Sequence, residues 1–374
     1  MAKITLLLVS TLAILSFAVI TPSLPAMRDA FAGVRHVGLL TRLVLAFPAL
    51  FIVLAAPWAG VIADRFGRRP LLLGAMGLYA IAGTSGVWAP RLSVILVGRA
   101  LLGVAIAGTM TAATTLITDL TTGRSRRRLL GEQAAVIGIA SAVFVVAGGI
   151  LADLHWRTPF LLYALALLLV LPVLGFVREP LARRKRVRRG NAHLPVRALA
   201  PSWATMLTAQ VVFFLSPVLV PFLLRDLGAL QATRSGVAVA LLGLLYAAGA
   251  LCAEPASSRV RTDQLFFAAF SLLGVGYLWI AVQRSWVGVL PGMAFAGFGL
   301  GLLVPNVLAQ VAERAPEAVR GRAMGSITTA IFLGQFLAPI LFAPVTSGWG
   351  NAASFGVAGG VSLLAGAVIL LRVR

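Results

Sequence analysis

A chain of 374 residues that is 60% hydrophobic and 11% charged, with a mean hydropathy of +0.97, is not a soluble globular protein, because such proteins carry charge on about a quarter of their residues. Its net charge of +21 would suit a nucleic-acid binder only if the basic residues formed one folded polar face; they are scattered through short segments between apolar runs. The single cysteine, Cys252, excludes an intramolecular disulfide and a thiolate metal cluster, and neither a metal nor a cofactor is expected.

Apolar runs of about 20 residues match the hydrocarbon core of a bilayer as helices, whereas barrel strands would alternate apolar and polar residues. Helices satisfy their own backbone groups, so they are the expected spanning element. The runs predict twelve spans near 4–25, 39–62, 70–89, 93–118, 129–152, 158–177, 203–224, 235–255, 264–282, 286–311, 322–344 and 350–371. The first of them, from Lys3, resembles a signal peptide at its start. It continues to Ile20 and meets Thr21-Pro-Ser-Leu-Pro25 without a cleavage site, so it is read as a span.

Alternating the intervening loops between two faces puts 23 Lys and Arg on the face that holds both termini and 8 on the other, with Arg99 inside a span. The positive-inside rule then places the termini in the cytoplasm of a multi-pass cell-membrane protein. The one long hydrophilic interruption, 178–202, is a basic cytoplasmic linker between a bundle of six helices at 1–177 and another at 203–374. Its charge suits solvent and topology, or anionic lipid heads.

The two halves repeat. A constant shift of 194 residues carries Gly98 to Gly292, Gly103 to Gly297, Asp119 to Glu313, Arg126 to Arg320, Arg128 to Arg322 and Gly131 to Gly325. The expected fold is therefore an all-α membrane protein of 12 transmembrane helices in two pseudo-symmetric six-helix bundles, a layout of secondary transporters.

Between spans 2 and 3 lies Gly60-Val-Ile-Ala-Asp64-Arg65-Phe-Gly67-Arg68-Arg69-Pro70. Gly60 and Gly67 permit close approach and unusual dihedrals, and Pro70 suits the first turn of a helix. Asp64 stands at the negative end of span 2 and Arg68 and Arg69 at the positive start of span 3, so both placements oppose the helix dipoles. Topology accounts for the arginines; the aspartate needs a partner across a helix junction.

This segment resembles the loop signature of the major facilitator superfamily, with every position of the pattern filled. The resemblance implies a conformational latch made of Gly60, Asp64, Arg65, Gly67, Arg68 and Arg69, with Asp64 facing the start of span 11 at Gly321 and Arg322, where a helix N-terminus attracts a carboxylate. Thr21 to Pro25, His155-Trp156-Arg157-Thr-Pro-Phe160 and the glycines of Gly297-Phe-Gly299-Leu-Gly301 with Pro305 are similar to segments of the drug:proton antiporters of that superfamily, the 12-helix multidrug efflux proteins. The implied function is rocker-switch export of small amphiphilic, drug-like compounds.

Arg99 lies about 9 Å into span 4 at 1.5 Å per residue, where a charge costs at least about 2.5 kcal/mol and so faces a cavity or a partner. In the resembled family the matching arginine is linked to proton transfer, although Arg99 could equally bond backbone carbonyls. Span 5 keeps the antiporters' paired glycines as Gly148-Gly149, but Ala140, Phe144 and Val145 replace their earlier glycine and glycine-proline. All eleven acidic residues fall near surfaces or in loops. Coupling, if present, would have to use Arg99 with Asp64, Asp119, Glu132 or Glu254.

Side chains that could line a substrate cavity are Met110, Thr111 and Thr114 of span 4, Gln210, Phe213 and Phe214 of span 7, Tyr246 of span 8, Asn306 of span 10, and Phe332, Gln335 and Phe336 of span 11. A lining of aromatics and scattered amides suits a neutral or cationic amphiphile better than a sugar, which needs many convergent polar partners. The expected partners are a small-molecule substrate, membrane lipid and, in the coupled case, protons; a monomer is expected and nucleic acid is not. The alternatives are an uncoupled or differently coupled carrier of the same fold and a non-transporting sensor. An enzyme reading lacks any nucleophile, metal or phosphate-loop constellation.

Overall fold

The computed structural model describes residues 1–120, 123–177, 179, 194–316 and 319–371; within these, the side chains of 118–120, 123–128, 130, 131, 134 and 135 lie outside the description. The basic run of the linker, 180–193, lies outside it too.

Among the described residues, twelve helices are long and apolar enough to cross a membrane. They are α1 Ala2–Ala30, α2 Val37–Phe66, α3 Arg68–Trp88, α4 Leu92–Ile117, α5 Val136–Leu154, α6 Thr158–Phe176, α7 Val196–Asp226, α8 Ala232–Ser257, α9 Thr262–Ala281, α10 Trp286–Arg314, α11 Arg320–Leu341 and α12 Ala343–Leu371. Leu167, Leu168 and Leu171 of α6 and Leu364 and Val368 of α12 are exposed. Such leucines are stable on the outside because lipid tails are as apolar as they are.

Several helices are longer or more broken than hydropathy implies. α7 begins at Val196, inside the segment expected as linker, because Pro195 stands before its first residue and Pro201 interrupts it without ending it. α1 breaks after Ala18 into a 3₁₀ turn at Thr21–Ser23, and α7 breaks between Phe213 and Leu215. The break expected between spans 11 and 12 is a single residue, Phe342, followed by a kink inside α12 at Gly350, whose φ is 86°.

The chain forms two compact units, 1–183 with 231–240, and 184–230 with 241–374. The division follows the two sequence halves except at the start of α8. In the first unit α4 packs along α2 and α3, and α1 along α5; in the second, α9 packs along α10 and α12, and α7 along α11.

Two of the glycine pairs that revealed the repeat do the same work in each unit. A Cβ at Gly103 of α4 would collide with the Pro48 carbonyl of α2, and one at Gly297 of α10 with the Leu242 carbonyl of α8. A Cβ at Gly98 would strike Ser85 beside α4, and one at Gly292 would strike Gly276 and Ile280 of α9. Small residues let membrane helices meet backbone to backbone, where dispersion replaces the missing hydrophobic drive. The broken helices are braced in parallel as well. The Tyr79 hydroxyl donates to the Leu12 carbonyl of α1 at 2.7 Å, and that of Tyr277 reaches the Val212 and Phe213 carbonyls of α7 at 3.1 and 3.0 Å.

Candidate functional site

The charged loop between α2 and α3 turns at Gly67, which has φ 100° and ψ 160°, a backbone state that L side chains rarely adopt. Gly60 has no such role. It is helical, and a Cβ there would meet nothing within 4 Å, so the close approach expected of it is not seen. Asp64 is exposed on the last turn of α2 and makes no hydrogen bond or ion pair with described residues of its own unit.

The dipole conflict at Arg68 and Arg69 is answered by a residue that sequence reasoning passed over. Glu179, just past the end of α6, accepts the Arg68 N–H at 2.8 Å through Oε1 and the Arg69 N–H at 2.7 Å through Oε2. The Arg69 guanidinium donates in turn to the Leu174 carbonyl at 2.6 Å. A carboxylate on a helix N-terminus satisfies orphan donors and sits at the positive end of the dipole. The loop is thus fastened to the C-terminal end of α6, inside one unit.

Arg99 is fully buried. Its Nε donates to the Val44 carbonyl of α2 at 2.9 Å, one terminal nitrogen to the Tyr163 hydroxyl of α6 at 2.7 Å and the other to the Ser16 carbonyl of α1 at 2.5 Å. Tyr163 donates to the same Ser16 carbonyl at 2.9 Å. Of the readings open at sequence level, cavity-facing or carbonyl-bonded, the geometry is the second. The charge ties α1, α2 and α6 to α4. Met293, its repeat equivalent, is likewise fully buried but apolar, so the second unit has no such tie.

The tryptophan-arginine-phenylalanine segment before α6 also acts within the first unit. Arg157 donates to the Gly86 and Ala89 carbonyls at 2.8 and 2.9 Å, placing a cation at the C-terminal end of α3. Trp156 meets Phe31 edge-on, with ring centroids 5.6 Å apart.

Glu132 and Glu254 are exposed, the latter near the end of α8, and the side chain of Asp119 lies outside the described residues.

Of the expected lining, the second unit brings part together. Gln335 of α11 donates through Nε2 to the side-chain Oε1 of Gln210 of α7 at 3.5 Å, while its own Oε1 is buried without a partner. Phe213 and Tyr246 stand with ring centroids 6.3 Å apart, joining α7 to α8. Phe332 is half-buried on α11. Phe214 instead is 5% exposed, packed at the break of α7. Asn306 is used as a brace, donating to the Leu302 carbonyl at 2.8 Å and to the Ala253 carbonyl of α8 at 3.4 Å. In the first unit, Met110 and Thr114 are exposed on one face of α4, one helical turn apart. A groove of about 450 Å³ in that unit, lined by Trp58, Ile62, Leu71 and Val104 among others, contains none of these side chains.

Polar pairs missed at sequence level brace helices by side chain to side chain. Ser202 donates to Gln310 at 2.7 Å, Trp203 to Ser326 at 3.0 Å and Gln133 to Ser10 at 2.7 Å. Amphipathic spacing would have found Ser10 and Gln133 only if the helix pairing had been known.

Twelve spans, a repeated six-helix unit and a charged loop pinned at the start of α3 define a membrane transporter. The chain belongs to the Major Facilitator Superfamily, whose family model matches residues 6–214 and again 201–374. It is 29% identical to the class C tetracycline resistance protein of Escherichia coli, over 99% of this chain and 94% of that protein. It is 25% identical to the multi-drug resistance efflux pump PmrA of Streptococcus pneumoniae, over 91% of this chain and 88% of the pump. The fold is also that of the xylose transporter XylE from E. coli in its inward open conformation, at a TM-score of 0.79 and 15% identity, covering 100% of this chain and 96% of XylE.

Proposed function

We propose that this protein exports small amphiphilic compounds of the tetracycline or lipophilic-cation kind across the cytoplasmic membrane by alternating access, with both termini and the basic loops on the cytoplasmic side. Near full-length similarity to tetracycline and multidrug efflux proteins supports the direction and the substrate class. The observation that carries the binding mode is the Gln210–Gln335 pair beside the aromatic pair Phe213 and Tyr246. Two amides offer few polar contacts and the rings offer apolar area, a balance that fits a drug-like amphiphile. Asp64, exposed and unpaired within its unit, is free to serve as the cytoplasmic latch against Gly321 and Arg322 at the start of α11. A survival screen tests the reading: a sensitive host carrying the gene should tolerate more tetracycline or lipophilic cation than the same host with an empty vector. Equal sensitivity across the panel would count against export.

An uncoupled carrier is the second reading. It is favoured by Arg99, whose three donating nitrogens are each committed to an oxygen of the bundle rather than to an acid. Substrate flux in vesicles that ignores an imposed pH gradient would select it.

A further inference from the structure

Asp153 belongs to no motif singled out in the sequence, yet both oxygens of its carboxylate are hydrogen-bonded. It lies at the end of α5 opposite the α2–α3 loop. One oxygen accepts the Ala232 N–H at 2.6 Å, and the other accepts the Thr233 N–H at 3.1 Å and the Thr233 hydroxyl. Ala232 and Thr233 are the first residues of α8. The carboxylate therefore closes a helix N-terminus, where unpaired N–H groups and the dipole favour negative charge.

Behind this contact the two helices touch backbone to backbone. A Cβ at Gly149 would come within 2.8 Å of the Thr233 Cα, and one at Gly236 within 2.7 Å of the Val145 carbonyl oxygen. About one turn beyond Gly236, Val239 and Ala240 join Ala18 and Val145 in an apolar cluster. This seam is why 231–240 packs as part of the first unit, although the repeat assigns α8 to the second half.

We propose that Asp153 is the latch of the outer mouth: it holds the first turns of α8 against the first unit while the transporter is shut to the outside, and releases them when it opens. The inference rests on the alternating-access reading. It matches the arrangement proposed for the other face, where the carboxylate of Asp64 meets the start of α11. Each face would then be closed by an acid from the first half on a helix N-terminus of the second, α2 with α11 and α5 with α8.

The test uses the full-length protein with Cys252→Ala and Ala240→Cys, labelled from outside intact cells with a membrane-impermeant maleimide. Asp153→Ala should raise the labelling rate roughly tenfold, the weight of one or two charge-assisted hydrogen bonds, and Asp153→Glu should fall between. A second protein with Asp153→Cys and Thr233→Cys should, once oxidised, stop both labelling and tetracycline efflux, with both restored by reductant. A parent that labels at the same rate as Asp153→Ala, or a cross-linked protein that still labels at the parent rate, overturns the latch and leaves export standing. A parent that never labels, cross-linked or not, overturns the alternating-access reading together with the latch.

Discussion

Arg99 and Tyr163 share one acceptor: both donate to the Ser16 carbonyl, at 2.5 and 2.9 Å, while Arg99 also donates to Tyr163 at 2.7 Å. The three groups close a ring at the middle of the first unit, just ahead of the break in α1 that follows Ala18. A guanidinium at that depth is stable because each donating nitrogen meets an oxygen, and the ring stiffens the place where the helix is weakest.

Removing it should therefore act on folding first. Arg99→Met, which copies the repeat's Met293, leaves the Val44 carbonyl short of its side-chain donor, at about 1–3 kcal/mol, while the Ser16 carbonyl keeps the Tyr163 hydroxyl. Tyr163→Phe removes the neutral bond to Ser16, about 1 kcal/mol, and also deprives a buried Arg99 nitrogen of its acceptor, about 1.5–3 kcal/mol. Both variants are expected to melt below the parent in detergent. A specific proton-transfer role would instead leave the melting temperature of Arg99→Met near that of the parent and abolish only the pH dependence of flux.

The clamp at Glu179 predicts a loop defect without a global one. Glu179→Ala should cost about 1 kcal/mol, the usual value of an N-terminal cap on an accessible helix, and should speed proteolysis at the α2–α3 loop severalfold. Glu179→Gln, which keeps an acceptor but loses the charge, should fall between. Equal proteolysis in all three proteins would mean that the carboxylate does not fasten the loop.

Asp64→Asn tests the other acid of that loop. With no partner inside its unit to lose, the substitution should leave the stability within about 0.5 kcal/mol of the parent, as for an ordinary surface change. It should still shift accessibility at the start of α11, measured by labelling a cysteine placed at Gly321. Unchanged labelling would remove the latch role.

The glycines divide by what surrounds them. Gly103→Ala and Gly297→Ala put a methyl against a neighbouring backbone and should lower expression and melting temperature together. Gly60→Ala fills open space and should be neutral or slightly stabilising, since alanine favours helix by about 1 kcal/mol. A destabilised Gly60→Ala protein would show that the loop's first glycine packs in a way its own unit does not reveal.

Gln335 offers a specificity test. Gln335→Leu deletes a buried acceptor without a partner but also the long 3.5 Å bond to Gln210, so the fold should lose no more than about 1–3 kcal/mol. The apparent affinity for tetracycline should fall about fivefold, the share of one neutral hydrogen bond. Affinity unchanged in a well-folded variant would move the substrate away from the amide pair.

Much of the architecture was legible because its signals are local. Span positions follow from runs of apolar residues, and Gly98, Gly103, Gly292 and Gly297 announced the repeat because close helix crossings admit little else. The trapped carboxylates were not legible. Glu179 and Asp153 bond to backbone N–H groups, which leave no mark on the sequence of the partner, so each read as one more acid near a surface. The contacts of Asn306 and Phe214 were not legible for a related reason. A helix shows which residues share a face but not which neighbour that face meets, and the amide of Asn306 is spent on carbonyls of α10 and α8. The depth of Arg99 was plain from its number, whereas its partners came from three other helices.

Export by alternating access is tested most directly in vesicles. Purified protein reconstituted in liposomes preloaded with unlabelled tetracycline should drive transient uptake of labelled tetracycline above its equilibrium level, and the oxidised pair Asp153→Cys with Thr233→Cys should abolish that overshoot until reductant is added. Uptake that matches protein-free liposomes, with no overshoot at any substrate concentration, would contradict the account.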